Sequence, residues 1–184
     1  MGKNPFSELP REVSVLSAVA FFVAVGFGLI IPAVPIFAAS FGVSKTAIGL
    51  IISSFAIMRF SSGLISGKLV DRFGERTVLG FGLFMVSFFT LLTALSQSYG
   101  QLLTFRTLGG LGSSMFSVAA GSIILRATDD SKRARAQSLY NSSFLVGMMA
   151  GPVIGGFLTA ISLRAPLLVY GILLVVSSAA GGFL

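Results

Sequence analysis

Residues 67–79 read Gly67-Lys68-Leu69-Val70-Asp71-Arg72-Phe73-Gly74-Glu75-Arg76-Thr77-Val78-Leu79, a charged stretch between two long apolar runs. Gly67 and Leu69 close the first run, and Thr77 opens the second. Asp71, Arg72, Gly74, Glu75 and Arg76 are expected to make a tight polar turn between them. Gly74 supports the reversal, because glycine reaches backbone conformations closed to other residues. Gly67 is expected to let a helix end pack closely. Asp71 can face a helix N-terminus, where an anion gains about 0.3–1 kcal/mol. A turn this short and this charged fixes both the topology and the orientation of the runs it joins.

Working outward, the apolar runs are continuous and long, and each is expected to be a helix. A helix satisfies its own backbone groups in lipid, which an open strand cannot do. Crossing the hydrocarbon core takes about 20 apolar residues. Six spans are expected, over about 13–39, 46–68, 77–96, 100–126, 135–162 and 165–184, after a cytoplasmic tail at 1–12. Ser44 suits the cap of the second span and Pro166 the first turn of the sixth. The first run is too long for the core of a cleavable signal peptide and carries Pro32 and Pro35.

Composition agrees with an all-α membrane protein. Of 184 residues, 54% are hydrophobic and 10% charged, and the mean hydropathy is +0.95. There is no Cys, His or Trp. Disulfides, thiol or imidazole chemistry and Cys/His metal sites are therefore excluded, and with no carboxylate in a span no general base for an enzyme is evident. No cofactor is expected.

The net charge of +7 is explained by membrane orientation rather than by nucleic acid. Lys3, Arg11, Lys68, Arg72, Arg76, Arg126, Lys132, Arg133 and Arg135 fall at one set of span ends, against Lys45 and Arg164 at the other. The positive-inside rule places the N-terminus and the basic connections in the cytoplasm, in a multi-pass plasma-membrane protein.

Two basic residues, Arg59 and Arg106, fall inside spans. A charge at the centre of a spanning helix costs about 2.5–3.5 kcal/mol on insertion scales, so each is expected to face a cavity or partner. All six acids lie in the tail or the basic connections. Small residues recur at helical spacing, as Gly109, Ser113, Ser117 and Gly121, as Gly63 and Gly67, and as Ala20, Ala24, Gly28 and Pro32. Such stripes let helices approach closely.

Taken together, these stretches resemble the major facilitator superfamily of secondary transporters. The 67–79 segment is similar to that family's loop between its second and third spans, which the resemblance makes a conformational switch. Glu75 stands where a basic residue is usual, and Arg126 where an acid is usual, which suggests a charge-swapped pair. Arg106 with Gly110 and Gly112 resembles a second motif and implies a role in coupling. Gly147, Gly151, Pro152, Gly155 and Gly156 resemble the antiporter motif, and Pro32 and Pro35 are placed as in the drug/proton antiporter branch.

The resemblance covers the whole chain and maps it onto the N-terminal six-helix half of that fold. It implies a secondary transporter, or half of one, exporting small amphiphilic or drug-like molecules or metabolites by alternating access. Proton coupling is left open. The expected partners are the bilayer, a small-molecule substrate, and a C-terminal six-helix half or a second copy. The competing reading is a non-transporting truncated fragment that only packs against a partner.

Overall fold

The computed structural model describes residues 9–181, with side chains through Ser178. The described residues fold into helices without strands: α1 (Arg11–Ala39), α2 (Lys45–Ser61), α3 (Gly63–Phe73), α4 (Glu75–Ala94), α5 (Tyr99–Ala127), α6 (Asp130–Ile161) and α7 (Ala165–Gly181). By length and apolar character α1, α4, α5 and α6 can each cross a membrane, and α2 with α3 makes a fifth if the bent pair counts as one span. The helix at Ala165 is apolar but shorter. The expected end of the last span at 184, and the tail residues 1–8, lie outside the described residues.

Around the bundle the principal neighbours run α6, α1, α7, α4, α5 and α2, with lesser α1–α5 and α1–α2 contacts closing the ring. α1 is central: Leu16, Ala20, Ala24, Leu29, Ile30 and Ala33 are buried along its length. Its pairing with α6 is the most extensive among the described residues. Gly147, Gly151 and Gly155 make it possible, because each lies against the α1 backbone. A Cβ on Gly155 would stand 2.6 Å from the Leu29 carbonyl oxygen, and one on Gly28 would stand 2.7 Å from that of Met148. The other faces of α6 remain exposed, with Leu145, Val146, Met149, Val153, Phe157 and Ile161 outward.

The second span departs from expectation. It is two helices, not one run over 46–68, and they meet at 45°. The cause is local. Ser61 Oγ donates to the Ile57 carbonyl (2.8 Å) and Ser62 Oγ to that of Met58 (2.6 Å). Back-bonding serines of this kind bend helices, and Gly63 follows at once.

The expected polar turn at Asp71–Arg76 is also corrected. α3 continues to Phe73, so Asp71 and Arg72 sit in its last turn, and α4 begins at Glu75. The reversal is carried by Gly74 alone, at φ +83 and ψ 151. That backbone region is essentially restricted to glycine. No side chain caps α4, and Asp71 remains exposed on α3.

Gly67 has no neighbour within 4 Å of an added Cβ, so it does not pack closely as expected, and Gly63 and Gly121 are equally open. The fifth run begins at Asp130 instead of 135, leaving Thr128 and Asp129 as its whole connection. Ser44 caps α2 as expected, accepting from the Ala47 amide at 3.2 Å.

Candidate functional site

α2 and α3 run alongside α5, tied by polar contacts at four levels. The Tyr99 hydroxyl donates to the Ala47 carbonyl (2.9 Å). The Thr107 and Ser54 hydroxyls lie 2.8 Å apart. Arg59 Nη2 donates to Ser117 Oγ (2.8 Å), and the Ser66 and Ser114 hydroxyls are 3.1 Å apart. Gly110 sets the closeness of this pairing, since a Cβ there would lie 2.8 Å from the Phe55 carbonyl oxygen. Of the small-residue stripe expected to allow close approach, Gly109 has only an ordinary contact with Phe89; its neighbour Gly110 is the one that meets α2.

Arg59 is half-buried near the midpoint of the α2–α3 pair, fourteen residues from Lys45 and fourteen from Phe73. At 1.5 Å per helical residue it is about 21 Å along the chain from either end. The Ser117 hydroxyl gives its proton to the Ser113 carbonyl (2.9 Å), which orients its lone pairs toward the guanidinium. Arg59 forms no ion pair among the described residues. It lines two spaces. One is a buried pocket of about 20 Å³, roughly one water, beside Phe27, Ser113 and Tyr170. The other is an open groove of about 750 Å³ in the elbow of α2 and α3, walled by Ala56, Phe60, Leu64 and Val118.

Arg106 sits seven residues into α5, with its guanidinium carbon 4.2 Å from the centroid of the Phe55 ring. It also forms no ion pair among the described residues. It lines a pocket of about 140 Å³ with Ile30, Val34, Pro35, Ile51 and Phe55. Phe55 and Phe27 are in ring contact at 6.0 Å. Phe27 of this pair walls both the Arg106 pocket and the small pocket beside Arg59. The spacing of the two phenylalanines in sequence carried no sign of it.

At the other end of the bundle Glu75 and Arg126 are close, with Oε2 and Nη1 3.5 Å apart. Glu12 from α1 and Arg76 share the surrounding cleft. Glu12 was legible as an acid but not as a member of this group, because only the packing of α1 against α5 brings it there. Arg72 lies over the Phe73 ring at 5.3 Å and takes no part. Of the antiporter-like set, Gly147, Gly151 and Gly155 meet α1, while Gly156 faces open space. Pro152 lies at the same crossing, 3.1 Å from a Cβ placed on Gly28.

Comparison with known proteins gives the class. The family model described as Major Facilitator Superfamily matches residues 16–184, and the chain belongs to that family of transporters. The tetracycline resistance protein, class B, of Escherichia coli is 38% identical over 111 residues, 60% of this chain and 27% of that protein. The quinolone resistance protein NorA of Staphylococcus aureus is 25% identical over 156 residues, 85% of this chain and 40% of that protein. The matched stretch thus spans less than half the length of these relatives.

Among solved structures, a bacterial homolog of the human lysosomal transporter Spinster superposes with a TM-score of 0.81 at 19% identity, over 99% of this chain and 45% of that one. The human organic anion transporter MFSD10 (TETRAN) superposes at 0.79, also at 19% identity, over 95% and 47%. These two show the fold.

Proposed function

We propose that this chain is the N-terminal half of a secondary active transporter that exports small amphiphilic solutes by alternating access, with its N-terminus in the cytoplasm. α7 would then complete six spans. The observation that carries this reading is the pair of arginines, Arg59 and Arg106. Both are held inside an apolar bundle without ion-pair partners among the described residues, and both stand on cavity walls. A charge is retained at such depth chiefly where it acts on a substrate, ion or partner. Two drug-resistance proteins among the relatives support export.

In this reading the Gly74 junction, with Asp71 and Arg72 before it and Glu75 and Arg76 after it, works as a switch, and Glu75 with Arg126 latches it at the membrane surface. Gly147, Gly151, Pro152 and Gly155 let α6 slide or bend on α1. The exposed apolar faces of α6, and of α2 and α3 away from the groove beside Arg59, suit lipid and a second six-helix half, related to this one as the halves of such transporters are. Those same faces, with the partial span of the relatives, favour a second reading in which the chain alone is inert and only packs against a partner.

Solute flux separates the two. Liposomes holding this chain alone would be loaded with a fluorescent amphiphilic dye, with and without a pH gradient. Saturable efflux that is lost in Arg106→Ala supports a working carrier. Folded protein without flux overturns transport by this chain on its own.

A further inference from the structure

The groove in the α2–α3 elbow has an uneven character. Its walls at Ala56, Phe60, Leu64 and Val118 are apolar, and Phe60 and Leu64 are almost fully exposed. The charge at its base is positive. Arg59 uses one donor on Ser117, and a guanidinium has five. No acid lies on α2, on α5, or on α1 beyond Glu12 at its first turn. A volume of about 750 Å³ falls within the range of sites for drug-sized ligands, roughly 300–1,000 Å³.

From this geometry we propose that Arg59 holds the anionic headgroup of an amphiphile whose apolar body lies along Phe60, Leu64 and Val118. The site selects a carboxylate, sulfonate or similar monoanion on an apolar frame. This rests on the transport reading and names its substrate class. Planar anions match the fork of the guanidinium, and the bonds are charge-assisted on both sides.

Such a headgroup could belong to a solute or to an anionic phospholipid. Depth decides for the solute. Arg59 is about 21 Å along the helices from Lys45 and about 13 Å from Lys68, the next charge on the other side, which puts it well inside a hydrocarbon core about 30 Å thick. Lipid headgroups sit at the surfaces of that core.

The test uses the full chain in phosphatidylcholine nanodiscs, titrated calorimetrically with naphthalene-2-sulfonate and with the naphthylmethylammonium cation of similar shape. The sulfonate is expected to bind about tenfold or more tightly than the cation. Arg59→Gln should erase that preference, and Arg59→Lys should keep part of it. Equal affinity for the two probes, or sulfonate binding unchanged in Arg59→Gln, overturns the proposal.

Should Arg59→Gln fail to fold, Ala56→Phe tests the same site by filling the groove with the charge intact. Weakened sulfonate binding supports the proposal, and unchanged binding overturns it. Competition by a small fraction of phosphatidylglycerol in the nanodisc would make this a lipid site and overturn the solute assignment. Sulfonate binding without any flux sinks transport by the chain alone, whereas flux of a cationic dye without sulfonate binding sinks only the anion site.

Discussion

Gly82 of α4 and Gly112 of α5 meet backbone to backbone: a Cβ on Gly112 would lie 2.6 Å from the Gly82 carbonyl oxygen, and one on Gly82 would lie 2.9 Å from that of Gly112. The two helices cross here at a separation that only missing side chains permit, and Phe116 and Val86 are buried beside the crossing.

Gly112→Leu should therefore push α4 from α5 and destabilise the bundle by about 1–3 kcal/mol, the usual cost of overpacking. Gly121→Ala, in the same helix but facing open space, should be neutral or stabilising by up to about 1 kcal/mol. Unfolding of both variants in mild detergent checks the contrast. Equal losses would mean that the crossing is not as tight as described.

Gly74→Ala places a Cβ on a backbone at φ +83, at a cost on the order of 1–3 kcal/mol. The space around Gly74 is open, so the effect comes from backbone conformation and not from collision. Gly74→Asn should lose about as much, because the tolerance of asparagine for positive φ belongs to the left-handed helical region and does not reach ψ 151. Thermal denaturation checks both, and a variant as stable as the parent would contradict the assignment.

Glu75 and Arg126 form a pair at the edge of the bundle, with 66% of the Arg126 side chain accessible and 19% of Glu75. A double-mutant cycle on stability should give a coupling of about 0.2–1 kcal/mol or less, shrinking with added salt. If the pair acts as a latch, its effect belongs in transport kinetics. Glu75→Arg and Arg126→Glu should each impair flux, and the double reversal should restore it. Failure of the double variant to recover would dissociate the two residues.

Ser61→Ala with Ser62→Ala removes the two bonds to the Ile57 and Met58 carbonyls. The α2–α3 pair should then straighten from 45°, opening the Ser66–Ser114 contact. Spin labels at the exposed positions Arg72 and Gln101 would report a changed mean distance or a broadened distribution. An unaltered distribution would assign the bend to packing against α5 instead.

Much of the fold was legible because long apolar runs between charged ends leave few alternatives in a membrane. The helix starts at Lys45, Glu75 and Tyr99 fall within two residues of those expected, and Ser44 caps where it was placed. The elbow at Ser62 was not legible. Three adjacent small residues, Ser61, Ser62 and Gly63, lie inside a run whose hydropathy does not falter, and whether a serine hydroxyl turns back on its own helix is not a periodic signal. The junction at 71–76 departs from expectation because charge suggests loop, whereas Asp71 and Arg72 are tolerated in an exposed helix end.

The candidate site divides the same way. Arg59 and Arg106 stood out, because a charge in an apolar run is costly wherever the helix sits. Their surroundings did not. Ser117 as the partner of Arg59, Phe55 beneath Arg106, and Glu12 beside Glu75 are tertiary pairings across helices. Among glycines, spacing alone could not separate Gly110, pressed against Phe55, from Gly67 with nothing near it.

One residue joins α3 to α4, and that leaves no slack between them. A long loop would absorb displacement of one helix before the next felt it. Here α3 is an eleven-residue rod hinged at both ends, at Ser62 and at Gly74, so a swing at the elbow can only be taken up by two dihedral angles of a single glycine or passed on to α4. The segment is a short link between a bend and a one-residue reversal, so a swing that altered the groove beside Arg59 would be felt at Glu75 with nothing between to absorb it.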